Sequence, residues 1–112
     1  MDIPEMTVTE LKQLMDSGAK DFVLLDVRNP NEYDIAKIDG SVLIPLPDIE
    51  QGAGIEKVKS LVNGHRLIVH CKSGMRSAKA LAILKDAGVE GTNVKGGILA
   101  WSQEIDSSVP SY

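Results

Sequence analysis

Arg66-Leu67-Ile68-Val69-His70-Cys71-Lys72-Ser73-Gly74-Met75-Arg76-Ser77-Ala78 decides how the rest of the chain is read. The residues from Arg66 to His70 are a short, mostly apolar run of strand length. From Ser77 to Ala87 the sequence is rich in Ala and Leu and is followed by Gly88, which predicts a helix. Lys79 and Asp86 mark only a narrow polar side, so that helix should be largely buried. A strand therefore enters the turn at Cys71 and a helix leaves it. Backbone N–H groups of such a turn can face inward as an anion nest, and the helix N-terminus adds positive potential. Both favour thiolate over thiol, and the thiolate is the nucleophile. Gly74 permits tight backbone geometry. Lys72 and Arg76 supply positive charge, Arg76 with a fork suited to an oxyanion such as a sulfonate. Ser73 and Ser77 are placed to hydrogen-bond the sulfur or to cap the helix, and Lys72 and Met75 to face the entrance. A lone Cys at a strand end is more often a small buried hydrophobe. The basic, polar turn leading into a helix instead marks Cys71 as a candidate nucleophile.

Outward from this segment, strands and helices alternate. Thr7 and Glu10 form a capping box, Val8, Leu11, Leu14 and Met15 an apolar stripe, and Gly18 a helix stop. Phe22-Val23-Leu24-Leu25 reads as a strand buried on both faces. It runs into the turn residues Asp26-Val27-Arg28-Asn29-Pro30. Val42 to Ile44 is a second short strand stopped by Pro45 and Pro47. Residues from Asp48 to Gly54 read as surface loop, Ile55 to Leu61 as a short helix, Thr92 to Val94 as a last strand, and Gly97 to Glu104 as a last helix. The expected fold is α/β: one domain over 1–112, a mainly parallel central sheet, and helices on both faces. Sites in such sheets lie beyond the carboxyl ends of the strands, where Cys71 falls.

Composition narrows the function. Hydrophobic residues make up 43% of the 112 and charged residues 25%, the balance of a soluble globular domain. Twelve basic against sixteen acidic residues give −4 without a basic stripe, which argues against nucleic acid as a partner. No apolar run approaches the roughly 20 residues of a membrane span. The start, Met1 to Glu5, lacks the features of a signal peptide, so a cytoplasmic location is expected. Cys71 is the one cysteine, which excludes a disulfide framework and leaves no Cys-based metal site. No cofactor or metal is expected, and no second Cys in this chain can resolve a modified Cys71.

The turn resembles the active-site loop of rhodanese-like sulfurtransferases, and further segments extend the resemblance over nearly the whole chain. Asp26-Val27-Arg28 with Glu32-Tyr33 is similar to the family's first signature. Ile38-Asp39-Gly40-Ser41 and Ile44-Pro45 continue it, and Gly96-Gly97-Ile98-Leu99-Ala100-Trp101 resembles the terminal one. Where many members have Gly-His-Ile before a Gly-Ala pair, this chain has Ala36-Lys37-Ile38 before Gly40-Ser41. Four residues separate Cys71 from Arg76. Cys-dependent phosphatases resemble one another in having five there, in a ring wide enough for phosphate. The shorter loop suits a persulfide.

The resemblance implies a Cys71 persulfide, formed from thiosulfate or a cysteine desulfurase persulfide and passed to an outside acceptor. It also implies an anion-binding loop of Lys72, Ser73, Gly74, Met75, Arg76 and Ser77, with Asp26 and Arg28 in support. Asp26, Arg28 and Glu32 are expected to brace neighbouring loops, and Trp101 to pack in the core. His70 neighbours Cys71, but successive strand residues point to opposite faces, so packing or hydrogen bonding is expected rather than base chemistry. His65 is expected at the surface. The segments from Pro4 to Val8, Ile35 to Ser41 and Val109 to Tyr112 resemble the C-terminal rhodanese domain of E1-like adenylyltransferase/sulfurtransferases of molybdopterin biosynthesis and thiolation. That likeness implies a ubiquitin-like Gly-Gly sulfur carrier and an E1-like adenylyltransferase domain as partners, with this chain as the sulfur-donating module. The alternatives are a stand-alone thiosulfate sulfurtransferase and a non-catalytic rhodanese module that binds protein.

Overall fold

A computed structural model of the chain describes residues 3–112. In chain order the elements are β1 (Glu5–Met6), α1 (Val8–Asp16), β2 (Phe22–Asp26), α2 (Pro30–Ile35), β3 (Val42–Leu43), α3 (Leu46–Glu50), α4 (Ala53–Val62), β4 (Arg66–His70), α5 (Met75–Asp86), β5 (Thr92–Val94) and α6 (Gly97–Glu104). The strands form one parallel sheet in the order β1-β5-β4-β2-β3. This is the expected α/β architecture, with every pairing parallel.

Alternation along the strands divides the core in two. Leu25, Val27, Leu67 and Val69 join Ile49, Val58, Leu81 and Leu84 from α3, α4 and α5. Leu24 and Ile68 join Val8, Leu11, Ile98 and Trp101 from α1 and α6 on the other face. Leu11, Leu25, Ile49, Ile68 and Leu84 are completely buried. Each such side chain contributes about 1.5–3 kcal/mol of transfer free energy. Trp101 is a core residue, as expected, and His65 is exposed.

The helix expected from Ile55 to Leu61 runs Ala53–Val62 as α4, and four further differences from the sequence reading have a local reason. Glu5–Met6 pairs with β5 as an edge strand too short to carry a pattern. The turn expected after Asp26 continues into α2, with Pro30 in the first turn and Glu32 accepting from the Asn29 N–H at 3.0 Å. Part of the loop expected from Asp48 to Gly54 is α3, where Pro47 sits in the first turn and its missing N–H costs nothing. The helix after the Cys71 loop starts at Met75 rather than Ser77, because Gly74, at φ +114°, takes the N-cap position. Ser77 is therefore not a cap; it lies in the first turn and is fully buried.

Adjacent strands β5, β4 and β2 end together. Asp26 lies opposite His70 in the register, and Val69 opposite Asn93. The start of α6 braces the loop from behind: the Ile98 N–H donates to the Cys71 carbonyl at 2.9 Å and the Leu99 N–H to the Lys72 carbonyl at 3.1 Å. Gly97, at φ +58°, makes this approach feasible, since a Cβ there would stand 2.5 Å from the Cys71 carbonyl oxygen.

Candidate active site

Cys71 follows the last residue of β4 and is 1% exposed. Its sulfur accepts from the Gly74 N–H at 3.1 Å and from the Ser77 hydroxyl at 3.3 Å. Burial pushes the thiol up, but the Ser77 hydroxyl and the amides of Ser77, Gly74 and Ser73 together hold it below the ordinary range of a cysteine. Donors from the loop, at Gly74, and from the first turn of α5, at Ser77, thus converge on one sulfur. The arrangement stabilises negative charge on a buried sulfur. A net worth of about 1 kcal/mol for the hydroxyl predicts that Ser77→Ala slows alkylation of Cys71 by iodoacetamide at neutral pH by about fivefold. An unchanged rate would remove the hydroxyl from the account.

Asn93, on β5, is a member of this site that the sequence reading did not single out. Its Nδ2 donates to the Gly74 carbonyl at 3.0 Å, and its Oδ1 accepts from Ser77 at 2.6 Å. An amide side chain in a strand, a position where Asn is depleted, was the available signal.

Arg76 does not present an open fork. Its Nη1 and Nη2 donate to the two Glu32 oxygens at 2.5 and 2.9 Å. That pairing holds the Glu32 carboxyl at about 2, well below the usual range, and raises the guanidinium further. Glu32 also accepts from the Tyr112 hydroxyl at 2.8 Å, and Tyr112 accepts from Arg28 Nη1 at 2.8 Å. Arg28 Nε and Nη2 in turn clasp Asp26, the closest contact being 2.7 Å, and Nη2 donates to the Ala36 carbonyl at 2.6 Å. Asp26–Arg28–Tyr112–Glu32–Arg76 is thus one chain of hydrogen bonds from the core to the loop. Asp26 and Arg28 brace, as expected, and are both fully buried. Glu32 braces as well, but its partner is Arg76. Lys72 Nζ lies 4.5 Å from the Tyr112 ring centroid, so the second cation of the loop also rests on Tyr112. Met75 stands 80% exposed at the start of α5.

His70 is not hydrogen-bonded to the sulfur. It is fully buried, with Nδ1 3.4 Å from the Cys71 carbonyl oxygen and Nε2 3.8 Å from Asp26 Oδ2. Burial pushes its pKa down, with Asp26 opposing and Arg28 reinforcing. The folded protein therefore binds fewer protons at His70 than the unfolded chain below the reference value of 6.5. Stability should fall as pH drops from about 6.5 towards 4.5, by at most about 1.4 kcal/mol per pH unit. Urea midpoints measured across that range should lose this slope in His70→Gln. A variant that keeps the full slope would assign it to another group.

Two surface hollows, of about 360 and 470 Å³, are lined by other segments, and neither includes Cys71. Among the described residues no cluster of His, Cys, Asp and Glu has the makings of a metal site. No helix among them is long and apolar enough to cross a membrane.

A family model described as the rhodanese-like domain matches residues 7–104. An uncharacterized 16.5 kDa protein of Synechococcus elongatus is 56% identical over 111 residues, covering 99% of this chain and 72% of that protein. The probable adenylyltransferase/sulfurtransferase MoeZ of Mycobacterium tuberculosis is 41% identical over 108 residues, 96% of this chain. The match takes in 26% of MoeZ, so the chain spans about a quarter of that relative's length. A rhodanese-related protein of Thermoplasma volcanium superposes with a TM-score of 0.75 at 29% identity, over 91% of this chain and 93% of that one. The chain belongs to the rhodanese-like domain family and is homologous to the rhodanese domain of MoeZ-type adenylyltransferase/sulfurtransferases.

Proposed function

We propose that the chain is a sulfurtransferase that carries sulfane sulfur on Cys71 and passes it to a ubiquitin-like carrier that forms a thiocarboxylate, in molybdopterin synthesis or a thiolation pathway. One observation carries the transferase reading: a single buried sulfur accepts from the Gly74 amide and the Ser77 hydroxyl at the head of α5. In the first step the Cys71 thiolate attacks the outer sulfur of a donor persulfide, R–S–SH. The donor S–S bond breaks, R–S⁻ leaves, and Cys71–S–SH remains. In the second step the outer sulfur attacks the adenylated C-terminal carbonyl of the carrier and AMP leaves, giving Cys71–S–S–C(O)–carrier. Two external thiols then reduce that disulfide and are themselves oxidised to a disulfide, so that the carrier departs as thiocarboxylate and Cys71 returns to thiolate. The loop donors stabilise the negative sulfur at the start and end of the cycle. Cys71 is the chain's one cysteine, so both donor and acceptor come from elsewhere.

Two features favour a protein persulfide over thiosulfate as donor. The Arg76 fork that would hold a sulfonate is occupied by Glu32, and Lys72 is stacked over Tyr112. The 1% exposure of Cys71 suits an acceptor that arrives as a thin tail, such as one ending in Gly-Gly.

Mass spectrometry after incubation with a cysteine desulfurase and cysteine tests the reading. One added sulfur on the wild type and none on Cys71→Ala is expected, followed by its loss to a Gly-Gly carrier when adenylyltransferase, ATP and a reducing thiol are present. Failure of the wild type to gain sulfur from either the desulfurase or thiosulfate would favour the non-catalytic, protein-binding alternative. Loading from thiosulfate alone would favour the stand-alone transferase.

A further inference from the structure

The Ser77 hydroxyl has one proton and two acceptors. Asn93 Oδ1 lies 2.6 Å away and Cys71 Sγ 3.3 Å away. The amide of Asn93 cannot turn to relieve this competition without losing its Nδ2–H bond to the Gly74 carbonyl, which fixes Oδ1 towards Ser77. Ser77 is fully buried and Asn93 is 4% exposed, so an acceptor deserted by the proton has little access to solvent water. The direction of the proton must therefore follow the charge on the sulfur. When Sγ is a thiol it can itself donate to Ser77 Oγ, and the hydroxyl donates onward to Asn93. When Sγ is a thiolate it is the stronger acceptor, and the proton turns to it. When Sγ is the inner atom of a persulfide it is bonded on both sides and neutral, so the proton returns to Asn93.

We propose that Asn93 is a positioning residue, which parks the Ser77 hydroxyl proton while Cys71 carries sulfur and yields it to Sγ as the outer sulfur departs. This rests on the persulfide reading of Cys71 given above. In the departing step an acceptor thiolate, R–S⁻, attacks the outer sulfur of Cys71–Sγ–SH. The new bond forms R–S–SH, the Sγ–S bond breaks, and its electron pair stays on Sγ. No proton is transferred: the Ser77 O–H rotates from Oδ1 to Sγ as negative charge develops there. The donor is thus in place where charge appears in the transition state, while in the resting persulfide the Ser77 hydroxyl and Asn93 Oδ1 keep each other partnered. Asn93 has a second function through Gly74, whose carbonyl it anchors, and the test must separate the two.

A double-mutant cycle does so, read as the ionisation constant of Cys71 from the pH profile of its alkylation rate. Both variants leave Arg76, whose charge also acts on Cys71, in place. Loss of the Gly74 anchor affects Asn93→Ala equally with or without Ser77. Loss of the competition for the proton requires Ser77. Asn93→Ala is therefore expected to change the ionisation constant about fivefold further towards thiolate in the wild-type background than in a Ser77→Ala background. Equal factors in the two backgrounds would overturn the proposal. A second measurement needs no substitution at Asn93. In labelled wild-type protein the Asn93 carboxamide NMR signals should move as Cys71 ionises and return to the thiol-state position once sulfur is loaded. Signals indifferent to ionisation would also overturn it. The cycle uses no sulfur donor, so a protein that never loads sulfur would defeat the transferase reading and leave the cycle's own result standing.

Discussion

Arg28→Ala is expected to cost about 3–5 kcal/mol, the range for removing one partner of a buried ion pair. The size follows from what stays behind. Asp26 is fully buried and would keep a carboxylate with only the backbone N–H of residue 28, at 3.0 Å, as a remaining donor from that position. The Ala36 carbonyl and the Tyr112 hydroxyl would each lose a guanidinium donor. A domain of this size has about 5–15 kcal/mol in total, so the melting temperature should fall by on the order of 15 °C. Lost packing is the competing explanation, since a guanidinium and its stem also fill space. The pair Asp26→Asn with Arg28→Met separates the two. Without an orphaned charge the double variant should melt well above Arg28→Ala, as seen when both partners of a buried pair are replaced together. A double variant no more stable than the single one would show that volume, not charge, sets the cost. His70 adds a second signature. Arg28 helps to keep its pKa down, and Asp26 is 3.8 Å away. Without Arg28, protonated His70 can neutralise Asp26, so the deficit of Arg28→Ala should shrink as pH falls below about 6.5.

The strand, turn and helix around Cys71 were legible because each has its own local signal: an apolar run, a glycine turn, and an Ala-rich segment. The same holds for the parallel sheet, whose buried strands read as short continuous apolar runs. Period-two alternation placed His70 on the face away from Cys71, and in the structure its nearest polar groups are Asp26 and a backbone carbonyl. Short elements were lost for the opposite reason. The five-residue α3 and six-residue α2 complete too few turns to show a hydrophobic period, and their prolines read as breakers although they sit in first turns.

The site was legible only where its members are neighbours in sequence. Gly74 and Ser77 could be assigned to the sulfur because a tight turn brings them there. Asn93 could not, since β5 carries no trace of its packing beside the loop. Nor could the partner of Arg76 be read, because Glu32 is 44 residues away and Tyr112 a further 80 from Glu32. The sequence marks Arg76 as a fork suited to an oxyanion; the fold shows that fork closed on a carboxylate. On the proposed reading, that difference bears on whether a sulfonate donor can be held.

Glu32→Gln should reopen the fork. Gln keeps the length of the side chain and an oxygen for the Asn29 N–H, so α2 retains its first-turn hydrogen bond. It removes the charge that binds Arg76 through two contacts. Charge-assisted hydrogen bonds are worth about 1.5–3 kcal/mol, so an anionic donor gaining them should bind roughly 10- to 100-fold more tightly. The KM for thiosulfate is expected to fall by that factor. Transfer from a desulfurase persulfide, which has no sulfonate to hold, should change less than about twofold on the same reasoning. In an Arg76→Ala background the gain should vanish. A thiosulfate KM that Glu32→Gln leaves unmoved would mean the fork is not the barrier, and the preference for a protein donor would lose its main support. An acid titration gives an independent check. The folded pKa of Glu32, about 2, lies below its reference value of 4.5, so the pair's stabilisation is fully present above 4.5 and is lost as pH falls towards 2. Glu32→Gln should therefore be the less stable protein at neutral pH, and the gap between it and the wild type should close over that acid window.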